Sequence, residues 1–191
     1  MKGPETQKAE ARRLRDGFFE KYMRGRGLDI GYKGSLRDQA EPVLPGAIGV
    51  DEDYPGYRNN ILPFPDESQD YVYSSHCLEH IKDPTPPLQE WFRVVKTGGF
   101  LIVTVPHRDL YEKKLVRGSR WNGDHKRFYT PSSFLAEIET ALGVNSYRIR
   151  HLIDCDDGYD YSIPPTVHPV GEYQIECVVQ KIVPPTWSIS E

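Results

Sequence analysis

Three cysteines in 191 residues, Cys77, Cys155 and Cys177, are too few and too scattered for a disulfide framework or a Cys-x-x-Cys metal clamp. Long apolar runs are also missing. The longest, Phe100 to Val105, falls far short of the roughly 20 residues that cross a bilayer, so no membrane span is expected. Neither sign of charge dominates: Lys+Arg 24 against Asp+Glu 28 leaves a net charge of -4, which argues against nucleic acid or an anionic membrane as a partner. The opening stretch, MKGPETQKAEARRLR, lacks the apolar core of a secretory leader, and together with the unpatterned cysteines this predicts a cytoplasmic protein. Internal repeats and low-complexity tracts are absent as well. What remains is an ordinary globular composition, 38% hydrophobic and 27% charged, of a length that suits one domain.

The apolar periodicity changes several times along the chain. From Ala9 to Arg24 the residues Ala11, Leu14, Phe18 and Tyr22 recur at helical spacing with Arg12, Arg13, Arg15 and Lys21 between them, which predicts an amphipathic helix. Gly27 to Gly31 reads as a strand entering a glycine turn, and Ala47 to Val50 as a second strand ending on Asp51. The connection is long enough for a crossover, but Pro42 and Pro45 restrict its helix to about two turns within Ser35 to Glu41. Pro55, Pro63 and Pro65 mark residues 52 to 70 as irregular, with at most a very short strand near Ile61.

Tyr71 to Ser74 is the next strand, followed by a helix carrying Leu88, Trp91, Phe92 and Val95 and stopped by Gly98-Gly99. Phe100 to Val105 has the unbroken apolar character of a strand covered on both faces in a parallel sheet. Thr130 as N-cap and Pro131 at the first position open a helix with Phe134, Leu135, Ile138 and Leu142 as its stripe. The alternating segments Tyr147 to Cys155 and Tyr173 to Val179 predict an antiparallel pair at one edge. The expected fold is α/β, a Rossmann-like, mostly parallel sheet with an antiparallel C-terminal edge and a compact front half. Within one domain the expected parts are a helix (1–26), a core (27–106), a middle segment with a helix (107–146) and a strand pair (147–183).

A glycine turn after the first strand, at Asp29 and Gly31, and an acid after the second, Asp51, suit nucleoside binding by a doubly wound sheet. Glycine lets a ligand approach the backbone, and a carboxylate at the next strand end accepts hydrogen bonds from ribose hydroxyls. Asp51 reads equally as a turn residue within Asp51-Glu52-Asp53. The segments that follow are more specific in combination: Leu62-Pro63-Phe64-Pro65-Asp66, then Leu78-Glu79-His80-Ile81, then Arg93-Val94-Val95-Lys96-Thr97-Gly98-Gly99. From Gly27 to Pro106 the chain resembles the class I S-adenosylmethionine-dependent methyltransferases of the small-molecule type.

That resemblance implies S-adenosylmethionine as cofactor, a small-molecule acceptor, and cofactor contacts from Asp29, Gly31, Tyr32, Asp51, Asn60, Ile61 and Ser75. The family turn runs D-h-G-x-G-x-G, whereas Asp29-Ile30-Gly31-Tyr32-Lys33-Gly34-Ser35 has Lys33 at the second glycine. Arg58-Asn59-Asn60 replaces the acid usual before the LPF sequence. These departures keep a non-catalytic nucleoside-binding relative open. A nicotinamide-dependent oxidoreductase is disfavoured because no G-x-G-x-x-G cradle is present.

His76-Cys77-Leu78-Glu79-His80 also fits H-x-x-E-H, a pattern that can place two histidines on one metal. Such a site needs a long helix and a further protein ligand; the segment follows a strand and stops at Pro84, so no metal is expected there. His76, at a strand's carboxyl end, is a candidate for the substrate pocket, along with Trp121, Arg117, Lys126 and Tyr129. His125, beside Asp124 and just before a capped helix, is the candidate base, with His107 as the alternative and a loop-anchoring role as the other reading. Seven basic residues against three acids between Arg108 and Arg127 suggest an anionic acceptor, a phosphorylated compound or sugar nucleotide, with oxygen as the atom methylated.

Overall fold

The computed structural model of the chain describes residues 1–113 and 119–186. Two helices, α1 (Pro4–Arg15) and α2 (Phe18–Tyr22), precede strands β1 (Gly27–Ile30), β2 (Ile48–Val50) and β3 (Gln69–Ser75). Helix α3 (Thr85–Val94), strand β4 (Val95–Pro106), helix α4 (Pro131–Ala141) and strands β5 (Tyr147–Cys155) and β6 (Gln174–Lys181) complete the chain. They form one sheet in the order β2-β1-β3-β4-β6-β5. The first four strands are parallel, and β6 inserts antiparallel between β4 and β5. The α/β sheet with an antiparallel C-terminal edge is therefore as the sequence predicts.

The apolar run of β4 is buried on both faces because each face has its own cover. Leu101, Val103 and Val105 join Trp91 of α3 and Phe134 and Ile138 of α4 on one side, while Ile102 joins Tyr71, Tyr73 and the α2 residues Phe18, Phe19 and Tyr22 on the other. Helix α4 begins as expected: the Thr130 hydroxyl accepts from the Ser133 amide at 3.3 Å, and the Ser133 hydroxyl accepts from the Thr130 amide at 3.0 Å. This is a reciprocal capping box after which Pro131 starts the first turn. Phe134, Ile138 and Leu142 are buried, while Leu135 is only half-buried.

The N-terminal helix departs from expectation. It starts at Pro4 and breaks at Gly17, which adopts a left-handed conformation (φ 63°). Its inward face is also inverted: Leu14 is 59% exposed, and Arg12 and Arg13 are buried. Arg12 donates from Nε to Glu172 Oε1 (3.1 Å) and from Nη1 to Glu176 Oε1 (2.9 Å). Arg13 donates to Glu176 Oε2 (2.7 Å) and to the Tyr73 hydroxyl (2.7 Å). Burial alone would raise the Glu176 carboxyl, but Arg13, the His151 hydrogen bond and Arg12 outweigh it and hold it down at about 2.

The β1–β2 connection also differs. It carries no α-helix, only a 3-10 segment Gly34–Gln39 kinked at Arg37 (φ 50°). Pro42 sets an extended approach, and the Val43 amide then donates to the buried Asp29 carboxylate at 2.7 Å. Val43 packs against the α2 aromatics, so α1 and α2 supply the cover that a crossover helix would have given. Residues 51–68 are irregular apart from an isolated bridge, Arg58 to Ile61, and are pinned by α3: Glu90 accepts from the Leu62 amide, and Arg93 donates to the carbonyls of Leu62 and Phe64.

Removing one member of the buried arginine–glutamate group strands its partners, which costs about 3–5 kcal/mol. Arg13→Ala should lose that much in urea denaturation, while Leu14→Ala should stay within about 0.5 kcal/mol. Equal effects would refute the inverted face. Because the Glu176 carboxyl lies below its ordinary 4.5, its contribution is complete above that value and lost as pH falls toward 2; Glu176→Gln should flatten this acid limb.

Candidate active site

At the carboxyl ends of β1 and β3 lies a cavity of about 310 Å³. One wall is the first turn, Gly31 to Leu36; another is Ser75, His76, Glu79 and His80 after β3; the first turn of α1, Gly3 to Thr6, closes a third side. Tyr111, Asn122, His125 and Tyr173 complete the lining. Gly31 is required twice. Its φ is +73°, and a Cβ there would lie 2.6 Å from Cys77 Sγ. At Gly49 a Cβ would lie 2.6 Å from the Tyr32 ring, which packs across the β1–β2 edge.

Of the sequence-derived cofactor contacts, Asp29, Gly31, Tyr32 and Ser75 line this cavity. Burial pushes the Asp29 carboxyl up to about 7 against the opposing pull of the Val43 amide. The Ser75 hydroxyl is buried without a hydrogen-bond partner among the described residues. Asp51 stands just outside, accepting from the Lys33 amide (3.1 Å) and the Glu52 amide (2.9 Å), one on each oxygen. Each oxygen keeps a further lone pair. Asn60 (φ 63°) accepts from the Tyr57 hydroxyl and Ile61 is 61% exposed; neither lines the cavity. The Lys33 ammonium pairs with Asp53 at 2.5 Å rather than standing free for a ligand carboxylate.

The acceptor-end candidates divide. His125 is buried and lines the cavity, with Nδ1 donating to Glu112 Oε1, and Glu112 in turn accepts from the Ser119 hydroxyl. That hydrogen bond leaves the His125 Nε2 lone pair free. His76 also lines the cavity, in a left-handed backbone conformation (φ 52°) uncommon for a residue with a side chain.

His107 does not line it. Its Nδ1 accepts from the amides of Asp109 and Leu110, its Nε2 lies 3.3 Å from Asp154, and burial lowers its pKa, so it caps the turn after β4. Tyr129 is a core residue whose hydroxyl donates to Glu137, Trp121 meets His168 edge to face, and the Lys126 ammonium pairs with Asp124; none of the three reaches the cavity. Arg117 lies outside the described residues. Arg108 is taken up by Asp109 and Arg127 by Glu137, while the cavity itself carries Glu5, Asp29, Glu41 and Glu79 against Lys33, which is paired with Asp53. The described lining is acidic, so the expected attraction of an anionic acceptor has no support in it.

Sequence reasoning missed Glu112, the first turn of α1 and the tyrosines Tyr111 and Tyr173. Glu112 lies in a stretch without periodicity and carries no local signal of its pairing with His125. Glu79, read as structural, is fully buried at the cavity wall, and burial pushes its carboxyl up to about 8.

Residues 56–103 match a family model described as a methyltransferase domain. A probable S-adenosylmethionine-dependent methyltransferase of Mycolicibacterium smegmatis is 32% identical over 80 residues, 42% of this chain and 30% of that protein. The chain thus covers less than two thirds of the length of the curated relatives it matches. Among solved structures, an S-adenosylmethionine-dependent methyltransferase from Archaeoglobus fulgidus superposes with a TM-score of 0.55 at 19% identity, covering 92% of this chain and 94% of that one. Another, from Thermotoga maritima, described as a possible histamine N-methyltransferase, gives 0.53 at 17% identity over 93% and 87%. The chain has the Rossmann-like fold of the class I S-adenosylmethionine-dependent methyltransferases.

Gly31→Ala should lower stability by more than the roughly 1–2 kcal/mol of left-handed strain alone, since it also strikes Cys77. Gly34→Ala, also left-handed but facing open space, should show only the backbone cost. Thermal melts of the two variants separate the contributions, and identical losses would discard the Cys77 contact.

Proposed function

We propose that this chain transfers a methyl group from S-adenosylmethionine to a hydroxyl of a small, uncharged acceptor such as a sugar. The observation that carries the reading is one cavity lined by Gly31 and by Ser75, whose hydroxyl has no partner among the described residues, and also by His125 with Glu112 behind it. The chain's residues fit the cofactor: the backbone at Gly31 admits close approach, Ser75 has an unsatisfied hydroxyl, and the remaining Asp51 lone pairs suit two ribose hydroxyls. When bound, the cofactor supplies an electrophilic methyl on a sulfonium.

The chain's own part is mostly positioning. Tyr111 and Tyr173, with ring centroids 4.8 Å apart, form an aromatic surface against which an acceptor can lie. Glu112 fixes the His125 tautomer so that Nε2 presents a lone pair to the cavity and can take the hydroxyl proton. The first turn of α1 excludes water from the side it closes. The acidic lining favours a neutral or cationic acceptor over a phosphorylated one.

Calorimetry with S-adenosylhomocysteine is the direct test. Binding is expected, and Asp51→Ala should weaken it by roughly 1.5–3 kcal/mol, the scale for hydrogen bonds to a charged group. Absence of heat at millimolar ligand would sink the reading; tight binding without turnover on any hydroxyl or amine acceptor would leave a nucleoside-binding protein on this fold. His125→Ala should keep affinity for S-adenosylhomocysteine and lower turnover by about 10²–10⁴. Loss of affinity with unchanged turnover would remove His125 from the acceptor end.

A further inference from the structure

Glu79 is the most unusual side chain in the molecule. It is fully buried, and neither carboxylate oxygen has a hydrogen-bond partner among the described residues. Three imidazole nitrogens face it instead: His76 Nδ1 at 3.7 Å, His80 Nε2 at 3.7 Å and His125 Nε2 at 3.9 Å, all measured to Oε1.

In the neutral tautomer that its other hydrogen bond favours, each of those nitrogens carries the ring's lone pair. Gln174 donates from its amide nitrogen to Glu172, which leaves its carbonyl oxygen to accept from His76 Nε2 at 3.0 Å. His80 Nδ1 donates to Asp124 at 3.1 Å, and His125 Nδ1 donates to Glu112. Three lone pairs thus converge on one carboxyl group, which can donate to at most one of them. At least two acceptors are left facing one another across it, an arrangement that a cation satisfies.

We infer that Glu79, His80 and His125 form a site for a first-row divalent cation, with His76 within reach as a fourth ligand. Ligand atoms of the first three lie within 4.8 Å of one another. Bonds of about 2.0–2.2 Å in tetrahedral arrangement place ligand atoms roughly 3.4 Å apart, so modest closure suffices. The outer partners Glu112 and Asp124 are the carboxylate–histidine supports that such sites use to orient imidazoles. Two imidazoles and one carboxylate suit zinc, cobalt, nickel or iron rather than magnesium or calcium.

The further ligand that the H-x-x-E-H pattern lacked comes from His125, brought in where the amides of Lys126 and Arg127 donate to the Glu79 carbonyl at 2.8 and 3.1 Å. All three ligands line the cavity, so while His76 stays off the cation the fourth coordination position faces the place proposed for the acceptor. The same His125 Nε2 cannot hold a cation and take a proton together. A bound cation would take up that lone pair, so His125 can serve as the base only in metal-free protein.

The test uses the full chain, stripped with chelator and titrated with cobalt(II) and zinc(II). One cation per chain is expected, with visible cobalt absorption of a nitrogen–oxygen site and a rise in melting temperature by mass action. His80→Ala, at a half-buried position, and the isosteric Glu79→Gln should each weaken binding by at least tenfold while circular dichroism remains that of the folded protein. Asp124→Asn, which touches no cation, should weaken it about 10–100-fold at most. A chain that takes up no cation at millimolar concentration overturns the site, as does binding that His80→Ala and Glu79→Gln leave unchanged. The site does not depend on methyl transfer: S-adenosylhomocysteine binding is measured separately, and its failure beside intact metal binding would count against the proposed function alone.

Discussion

The pairing of Arg12 and Arg13 with Glu172 and Glu176 is the constraint on which the rest of the molecule depends. Four charged groups removed from water are tolerated only because each is met by an opposite charge and by further hydrogen bonds, from Tyr73 and His151 among others. Such a group adds less net stability than its contacts suggest, but it permits little else: α1 docks in one orientation or leaves charges buried and unpaired. An apolar stripe would have tolerated sliding. The ionic lock fixes where the first turn of α1 lands, and that turn is a wall of the cavity.

The lock also reaches the site chemistry. Glu172 accepts from Arg12 and from the Gln174 amide, the Gln174 carbonyl accepts from His76, and His76 faces Glu79. Each step has one favoured donor direction, so the tautomer of an imidazole at the cavity is linked to a guanidinium of α1. Glu112 and Asp124 perform the same service locally for His125 and His80. The site is thereby organised before any ligand arrives, which is the condition under which positioning contributes most.

Much of this was legible in the sequence where local physics decides. The β4 run is continuous because both faces are covered, the α4 start is written in Thr130-Pro131 with Ser133 closing the box, and Gly31 was singled out by a turn no other residue fits. The N-terminal helix was misread because amphipathic patterning assumes that charge faces water. The partners that reverse the rule, Glu172 and Glu176, lie on a distant strand and leave no mark near Arg12. The β1–β2 connection was read as a short helix, but the Asp29 anchor on Val43 and the cover from α2 removed the need for one. Tyr129 and His107 looked like pocket residues by position in the chain, yet their polar atoms are spent on Glu137 and on a turn.

The distance along the chain between the members of the lock has its own consequence for how the protein is made. Arg12 and Glu172 are 160 residues apart, and closing a loop of that length costs on the order of 4–5 kcal/mol beyond a constant. Helix α1 leaves the ribosome long before β6 and has nothing to neutralise its two inward arginines until β6 has emerged and paired with β4. Through most of synthesis it therefore stays undocked, and the cavity lacks one side. Closure of that side of the cavity is thus a late event of folding, and it is lost whenever α1 lets go of Glu172 and Glu176.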